Sequence, residues 1–123
     1  MQDPPTVIEL LEAAAGFLRE VAVPQLSGHA SFHARVAANA LDIVKRELEL
    51  RPAAEIEERE RLESLLQTNG SLEDLNALLS RRIAAGELDL QTPGLAEHLW
   101  ATTLAKVAID QPTYASYRRQ TGT

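Results

Sequence analysis

Apolar residues recur at intervals of three and four along five stretches of this chain. That spacing places them on one face of an α-helix, whereas the period of two that is typical of a strand is missing from the sequence. The pattern predicts an all-α fold, a single-domain bundle of about five helices over residues 1–123. The helices are expected at about residues 5–23, 31–50, 53–67, 72–85 and 93–110, with a C-terminal tail at 111–123.

Local signals predict where these helices begin and end. Thr6 and Glu9 have the spacing of a capping box at the start of the first helix. Ser71 is a good N-cap for the fourth helix. Pro52 follows Leu50 closely, and proline lacks the N–H that a continuing helix needs. We therefore expect the second helix to stop before Pro52 and the third to begin after it.

The second predicted helix has an unusually wide apolar face. With 100° between successive residues, about half of its circumference is apolar. The residues on it are Phe32, Val36, Ala37, Ala40, Leu41, Ile43, Val44 and Leu48. Such a width predicts a central helix with several neighbours. His33 falls near the middle of this face and is expected to face the core, while Arg35, Asn39, Asp42 and Arg46 form a polar stripe along its edge.

The last predicted helix carries charges close to its own apolar direction, which is defined by Leu95, Leu99, Trp100, Leu104 and Val107. Asp110 lies within about 20° of that direction and Lys106 lies on its flank. Asp110 also stands in the final turn, where the helix dipole disfavours a carboxylate. A charge placed in this way needs a partner. Lys106, four residues earlier, is the nearest, and His33 or an amide at the start of another helix is the alternative.

These observations define a candidate polar cluster of His33, Arg35, Asn39, Lys106 and Asp110. As a site, it would use His33 as a general base or ligand, Asn39 to orient a ligand, and Lys106 with Asp110 to hold an anion or transfer a proton. As architecture, His33 would be a neutral core residue and Lys106–Asp110 an ion pair between helices. We favour the architectural interpretation, and we expect no catalytic residue.

Composition narrows the classes of function. Net charge is −6, so nucleic acid is an unexpected partner, because phosphate binding needs a cationic face. There is no cysteine, and the pair His29–His33 lacks a third ligand, so we expect no metal site. Scattered single glycines build no phosphate loop, and we expect no cofactor. Without a signal peptide or an apolar run of ~20 residues, a cytoplasmic protein outside the membrane is expected.

Three runs of the sequence resemble a bacterial family of domains of unknown function. They are "FHARVAANALDIVKRELEL", "LAKVAIDQPTYASYR" and, at the N-terminus, "DPPTVIELLEAAAGFLRE". The family carries no known activity. The resemblance implies a context, because members occur beside or fused to kinase-like proteins of the aminoglycoside-phosphotransferase type, often near acyl-CoA dehydrogenase genes.

Two hypotheses for the function follow. The first is a non-catalytic accessory module that binds a protein partner, with the resemblance implying a phosphotransferase-like kinase in acyl-CoA metabolism. Self-association belongs to the same hypothesis, because the wide apolar faces exceed what one small bundle can bury. The alternative is a small-molecule-binding or enzymatic domain that uses the candidate polar cluster between the second and last predicted helices.

Overall fold

The computed structural model describes residues 3–123, and all regular secondary structure within that range is helical. Five helical segments follow one another, which confirms the predicted all-α class for the described residues. We number them α1 (residues 7–25), α2 (Gly28–Leu66), α3 (Leu72–Ala84), α4 (Leu95–Asp110) and α5 (Ala115–Thr121). No helix in this range is both long and apolar enough to cross a bilayer.

Helix α1 contains a widened turn near its end. It consists of the α-helix Val7–Phe17, a π-helical turn Leu18–Ala22 and a last α-helical turn Val23–Gln25. The N–H of Val23 reaches back five residues to the carbonyl of Leu18. Pro24 has no N–H to continue the regular pattern, and its ring crowds the preceding turn. The wider turn therefore lets the helix accommodate the proline.

Helix α2 runs through Pro52, so the predicted break between residues 50 and 53 is wrong. An internal proline costs a helix about 3 kcal/mol through the lost hydrogen bond and the ring clash. The residues on both sides are mostly Leu, Glu, Arg and Ala, which have high helix propensity. The ion pair of Arg51 Nε with Glu55 Oε1, at 2.7 Å, joins the turns on either side of the proline. Together these contributions outweigh the cost of one proline inside the helix.

The described chain forms two compact units, one ending at Leu50 and one running from Arg51 to Thr123. The first unit is an antiparallel hairpin of α1 and the part of α2 up to Leu50. The Ser31 hydroxyl contacts the Val23 carbonyl near the turn, at 3.4 Å. Its seam buries small side chains: Ala15, Ser31, Ala34 and Ala38. Because these side chains are short, the two helices pack closely along the seam.

The second unit has a core of leucines. The buried cluster comprises Leu62 and Leu66 from α2, Leu75 and Leu79 from α3, and Leu95 from α4. The predicted cap of α3 is present, since the Asp74 N–H donates to the Ser71 hydroxyl at 3.1 Å. Helix α4 begins at Leu95, slightly later than predicted, because Gly94 has a left-handed backbone (φ 91°) that no helix interior uses.

The segment 111–123, which was predicted to be a tail, contains the short helix α5. The N–H of Arg118 donates to the carbonyl of Tyr114 at 3.0 Å, and Gly122 ends the helix with a φ of 73°. A glycine in this left-handed conformation is a common helix terminator. The prediction missed this helix because seven residues carry too little periodic pattern to detect.

Candidate functional site

His33 is exposed, so its predicted place in the core is wrong. The side of α2 that faces α1 carries Ala34 and Ala38 instead. These two alanines lie beyond the edge of the wide apolar arc that the sequence indicated. The His33 ring contacts its neighbours on the same helix, with ring centroids 5.6 Å from Phe32 and 6.4 Å from His29. The described residues contain no group of three potential metal ligands.

Asn39 belongs to a network that links the two helices of the hairpin. The Nη2 of Arg19 donates to Asn39 Oδ1 at 2.9 Å and to Asp42 Oδ2 at 2.5 Å. The hydrogen bond from Arg19 holds the pKa of Asp42 below its ordinary value, and the same bond raises the pKa of Arg19. A second ion pair on this side of the hairpin joins Lys45 Nζ to Glu12 Oε1 at 3.2 Å.

Arg35 and Asn39 meet at an open surface depression of about 300 Å³ in the first unit, together with Arg19 and Val23. Two residues of the candidate polar cluster are thus brought together, and His33 is not among the lining residues. The sequence pattern did not identify Arg19, although it stands on the polar side of α1. Its partners lie 20 and 23 residues away along the chain, beyond the reach of any local spacing rule.

Lys106 and Asp110 lie in the second unit, in the last turns of α4, and both are exposed. Within residues 3–123 no ion pair joins them, so the expected structural pair is not formed. An exposed Asp110 carboxylate keeps its hydration, and solvent screens its interaction with the helix dipole. It therefore needs no protein partner. The candidate polar cluster as one site remains a prediction.

A buried polar cluster that the sequence did not indicate lies in the second unit. His98 is only 2% exposed, and its Nδ1 accepts a hydrogen bond of 3.1 Å from the Nε of Arg61. The Nη2 of Arg61 donates to the Thr102 hydroxyl at 3.3 Å. Helix α4 thus turns Leu95, His98 and Thr102 inward. Its large apolar residues Leu99 and Trp100 are exposed, opposite to the prediction.

His98 is neutral at physiological pH. Burial lowers its pKa below the ordinary value, and the positive charge of Arg61 lowers it further. Because Nδ1 accepts a hydrogen bond, the proton of the neutral ring is on Nε2. No described residue pairs with Nε2, and no described buried side-chain polar atom lacks a partner. The Nε2–H group therefore keeps contact with solvent.

An open depression of about 700 Å³ lies beside this cluster, entirely within the second unit. Its lining includes the carboxylates of Glu57, Glu60 and Glu97, together with Arg61, Ser64 and His98. Among the described residues no hydrogen bond joins the Ser64 hydroxyl to His98, so a serine–histidine nucleophile is not assembled. The depression thus places one neutral histidine donor among several carboxylates.

The first unit presents a large apolar surface, which we call the hairpin face. It consists of side chains that are between 41% and 58% exposed: Val7, Leu10, Phe17 and Val21 from α1, and Val36, Val44 and Leu48 from α2. On helical wheels Val36 lies opposite to the seam, and the other six lie about 60–140° from it in the same rotational sense. In an antiparallel pair this places them on one side of the hairpin. The ion pairs Arg19–Asp42 and Lys45–Glu12 occupy the other side.

Comparison with known proteins identifies a family whose function is unknown. No curated protein and no solved structure matches the chain. One family model does match, and it spans residues 24–114, which include the run that begins at Phe32 and most of the run that begins at Leu104. The N-terminal run that begins at Asp3 precedes the match. Because the match extends over more than half of the sequence, the chain belongs to the family of the domain of unknown function DUF6285.

Proposed function

We propose that this domain is a non-catalytic helical module that acts by binding another protein. The hairpin face carries the proposal. Its large side chains expose roughly 600 Å² of apolar surface, at the upper end of the ~300–600 Å² that the largest patch on a typical monomer covers. A patch of this size on a soluble protein is often functional, because water-exposed apolar area is costly.

The packing of the first unit supports this interpretation. The fully buried residues of the hairpin seam are three alanines and one serine, and its larger side chains Ile8, Leu11 and Leu18 are only half-buried, so no large side chain of the seam is fully buried. Most helical stability in proteins comes from packing of an amphipathic face against a neighbour. A protein that covers Phe17, Leu10 and Leu48 would supply the packing that the seam does not.

The functional partner in this proposal is a kinase-like phosphotransferase that works in acyl-CoA metabolism. This choice rests on the resemblance of the sequence to a family whose members occur beside such kinases. The module would be an accessory subunit of the kinase, and its own polar residues would take no part in phosphoryl transfer.

Isothermal titration of the purified chain into the neighbouring kinase from the same genome tests the partner. We expect a one-to-one complex with a Kd of about 10 μM or tighter, or −7 kcal/mol. An unrelated acidic helical protein of similar size serves as the control and should give no heat of binding. Absence of a complex at about 100 μM would exclude the kinase as the partner.

Small-molecule binding is the second candidate function, and the depression beside His98 favours it. Its volume of about 700 Å³ is within the ~300–1,000 Å³ typical of ligand sites. Thermal-shift measurements with small amines, amino acids and carboxylates would test it. The ligand's stabilisation should disappear in His98→Gln and persist in His29→Gln, whose histidine lies in the other unit. A ligand that stabilises both variants equally would place the binding elsewhere.

A further inference from the structure

We propose that a second copy of this chain covers the hairpin face, so that two hairpins form a four-helix interface about a two-fold axis. The inference rests on the proposed function, because it takes the same face as the binding surface and names a second copy of the chain as its occupant in the free protein.

Helix α1 carries two adjacent apolar stripes, and only one of them has a partner in the hairpin. Ile8, Leu11, Ala15, Leu18 and Ala22 form the stripe along the seam with α2, and all five are buried or half-buried. Val7, Leu10, Ala14, Phe17 and Val21 form the second stripe, and all five are exposed. Both stripes repeat at alternating intervals of three and four, the spacing of helices that pack side by side.

Two stripes on one helix are the signature of a four-helix bundle, in which each helix packs against two neighbours. The hairpin provides one neighbour for α1, so the second stripe can be covered only by a helix from outside the hairpin. A second hairpin would supply two helices at once. Each α1 would then use both of its stripes.

The hairpin face is suited to pairing with itself. A two-fold interface brings the same surface together from both copies, so the surface must be self-complementary. Exposed small residues (Ala14, Ala37 and Ala40) lie among its large side chains, and bulky side chains such as Phe17 and Leu10 can enter such gaps. The Arg19–Asp42 and Lys45–Glu12 ion pairs of the hairpin lie on the opposite side, so they do not meet across the interface.

The area of the face also fits a dimer. Roughly 600 Å² from the large side chains, together with the alanines and the margins, approaches the ~800 Å² per partner of a standard stable interface. A partner helix that covered only the α1 stripe would leave Val36, Val44 and Leu48 in water. A second hairpin covers both stripes.

Sedimentation equilibrium of the full chain, with multi-angle light scattering, tests the proposal. The chain mass is 13.5 kDa, so a dimer has twice that mass. We expect dimer at about 10 μM and a dissociation constant at least ~100-fold higher for Phe17→Glu. Trp100→Glu is the matched control, because Trp100 is similarly exposed at 52% but lies on α4, outside the face. This control should remain dimeric.

A second measurement covers the case in which Phe17→Glu fails to fold. The chain has no cysteine, so Ala14→Cys introduces a single thiol in the middle of the face. A short bismaleimide should cross-link Ala14→Cys into dimers and leave Glu20→Cys, on another side of α1, largely monomeric. Equal cross-linking of both variants would contradict the proposal.

The outcomes separate this inference from the proposed function. A wild-type chain that stays at 13.5 kDa at about 100 μM overturns the dimer. If that monomer binds the kinase and the Phe17→Glu variant does not, the proposed protein-binding function remains. The kinase, rather than a second copy of the chain, then covers the hairpin face. If the monomer binds no kinase either, both proposals fail. A dimer that Trp100→Glu disrupts and Phe17→Glu leaves intact would place the interface elsewhere and overturn the inference.

Discussion

Arg61 and His98, which are 37 residues apart in the sequence, meet through a hydrogen bond of 3.1 Å from the Arg61 Nε to the His98 Nδ1. The bond ties α2 to α4 inside the second unit. The bond fixes the histidine as the tautomer that carries its proton on Nε2. It also gives the Nδ1 of an almost completely buried ring a hydrogen-bond donor. This pair makes the stability of the second unit dependent on pH and on the arginine.

The stability of the chain should fall as the pH is lowered from about 7 towards 5. His98 has a pKa below its ordinary value of 6.5, so the unfolded chain takes up a proton at a pH where the folded chain does not. Wherever the unfolded state binds more protons, the free energy of unfolding decreases as the pH falls. Urea denaturation followed by circular dichroism at several pH values within this range measures the slope.

His98→Asn should reduce this pH dependence, because asparagine does not titrate while its side-chain oxygen can still accept a hydrogen bond from Arg61. His29→Asn is the matched control. His29 is exposed, so this variant should keep the slope of the wild-type protein. An unchanged slope in His98→Asn would show that other groups cause the acid sensitivity.

Arg61→Ala should destabilise the protein by about 1–3 kcal/mol, the cost of leaving a buried acceptor without its donor. The variant loses the bonds to both His98 and Thr102. Arg59→Ala is the control, because Arg59 is exposed and its one ion pair among residues 3–123 is a surface pair with Glu63 at 3.6 Å. Such a pair contributes less than about 1 kcal/mol. Equal losses in the two variants in urea denaturation would contradict a structural role for the Arg61–His98 bond.

The parts of the fold that depend on neighbouring residues could be predicted from the sequence. The capping box is one of these, since the Glu9 N–H donates to the Thr6 hydroxyl at 3.1 Å as its three-residue spacing indicates. The presence of helices in the four main helical regions is another, because each has a long apolar repeat. In both cases the interacting groups are within one or two helical turns.

The sequence could not reveal which side of a helix packs when apolar residues cover several sides. In α2 the large residues Val36 and Val44 form the more conspicuous stripe, yet Ala34 and Ala38 are buried. In α4 the wheel favoured the side of Leu99, whereas His98 is buried because Arg61 provides a hydrogen bond. In both helices the buried side depends on residues that are distant in the sequence, and no local spacing encodes those contacts.

The Arg19–Asp42 pair should contribute a small stability that disappears in acid. The pKa of Asp42 is held below its ordinary value of 3.8, chiefly by the hydrogen bond from Arg19. A lowered carboxyl pKa stabilises the folded state above the unfolded pKa, and that contribution is lost as the pH falls through the folded value. Because both side chains are partly exposed, we expect at most about 1 kcal/mol at neutral pH.

A double-mutant cycle measures this coupling. Asp42→Asn, Arg19→Met and the double variant are compared by urea denaturation at pH 7 and at a pH well below 3.8, where the coupling should be smaller because Asp42 becomes protonated. High salt should reduce the coupling at pH 7, because the pair is accessible to solvent. A coupling of the same size at both pH values would show that the two residues interact through packing rather than through charge.

Pro52→Ala should stabilise the protein, because α2 is continuous through this position. Alanine would supply an N–H for the carbonyl of Leu48 and would remove the ring clash, and its helix propensity exceeds that of proline by about 3 kcal/mol. We expect a gain of about 1–3 kcal/mol in urea denaturation, since part of the strain is already relieved in the native helix. Helix content measured by circular dichroism should stay constant.

Pro112→Ala is the control for this prediction. Pro112 lies in the turn between α4 and α5, outside any helix, so its replacement removes a constraint on the unfolded chain without completing a helical hydrogen bond. This variant should be unchanged or slightly less stable. A loss of stability in Pro52→Ala would contradict the continuous α2, because it would mean that residue 52 favours a break. The second and third predicted helices would then be separate elements, as the position of the proline in the sequence indicates.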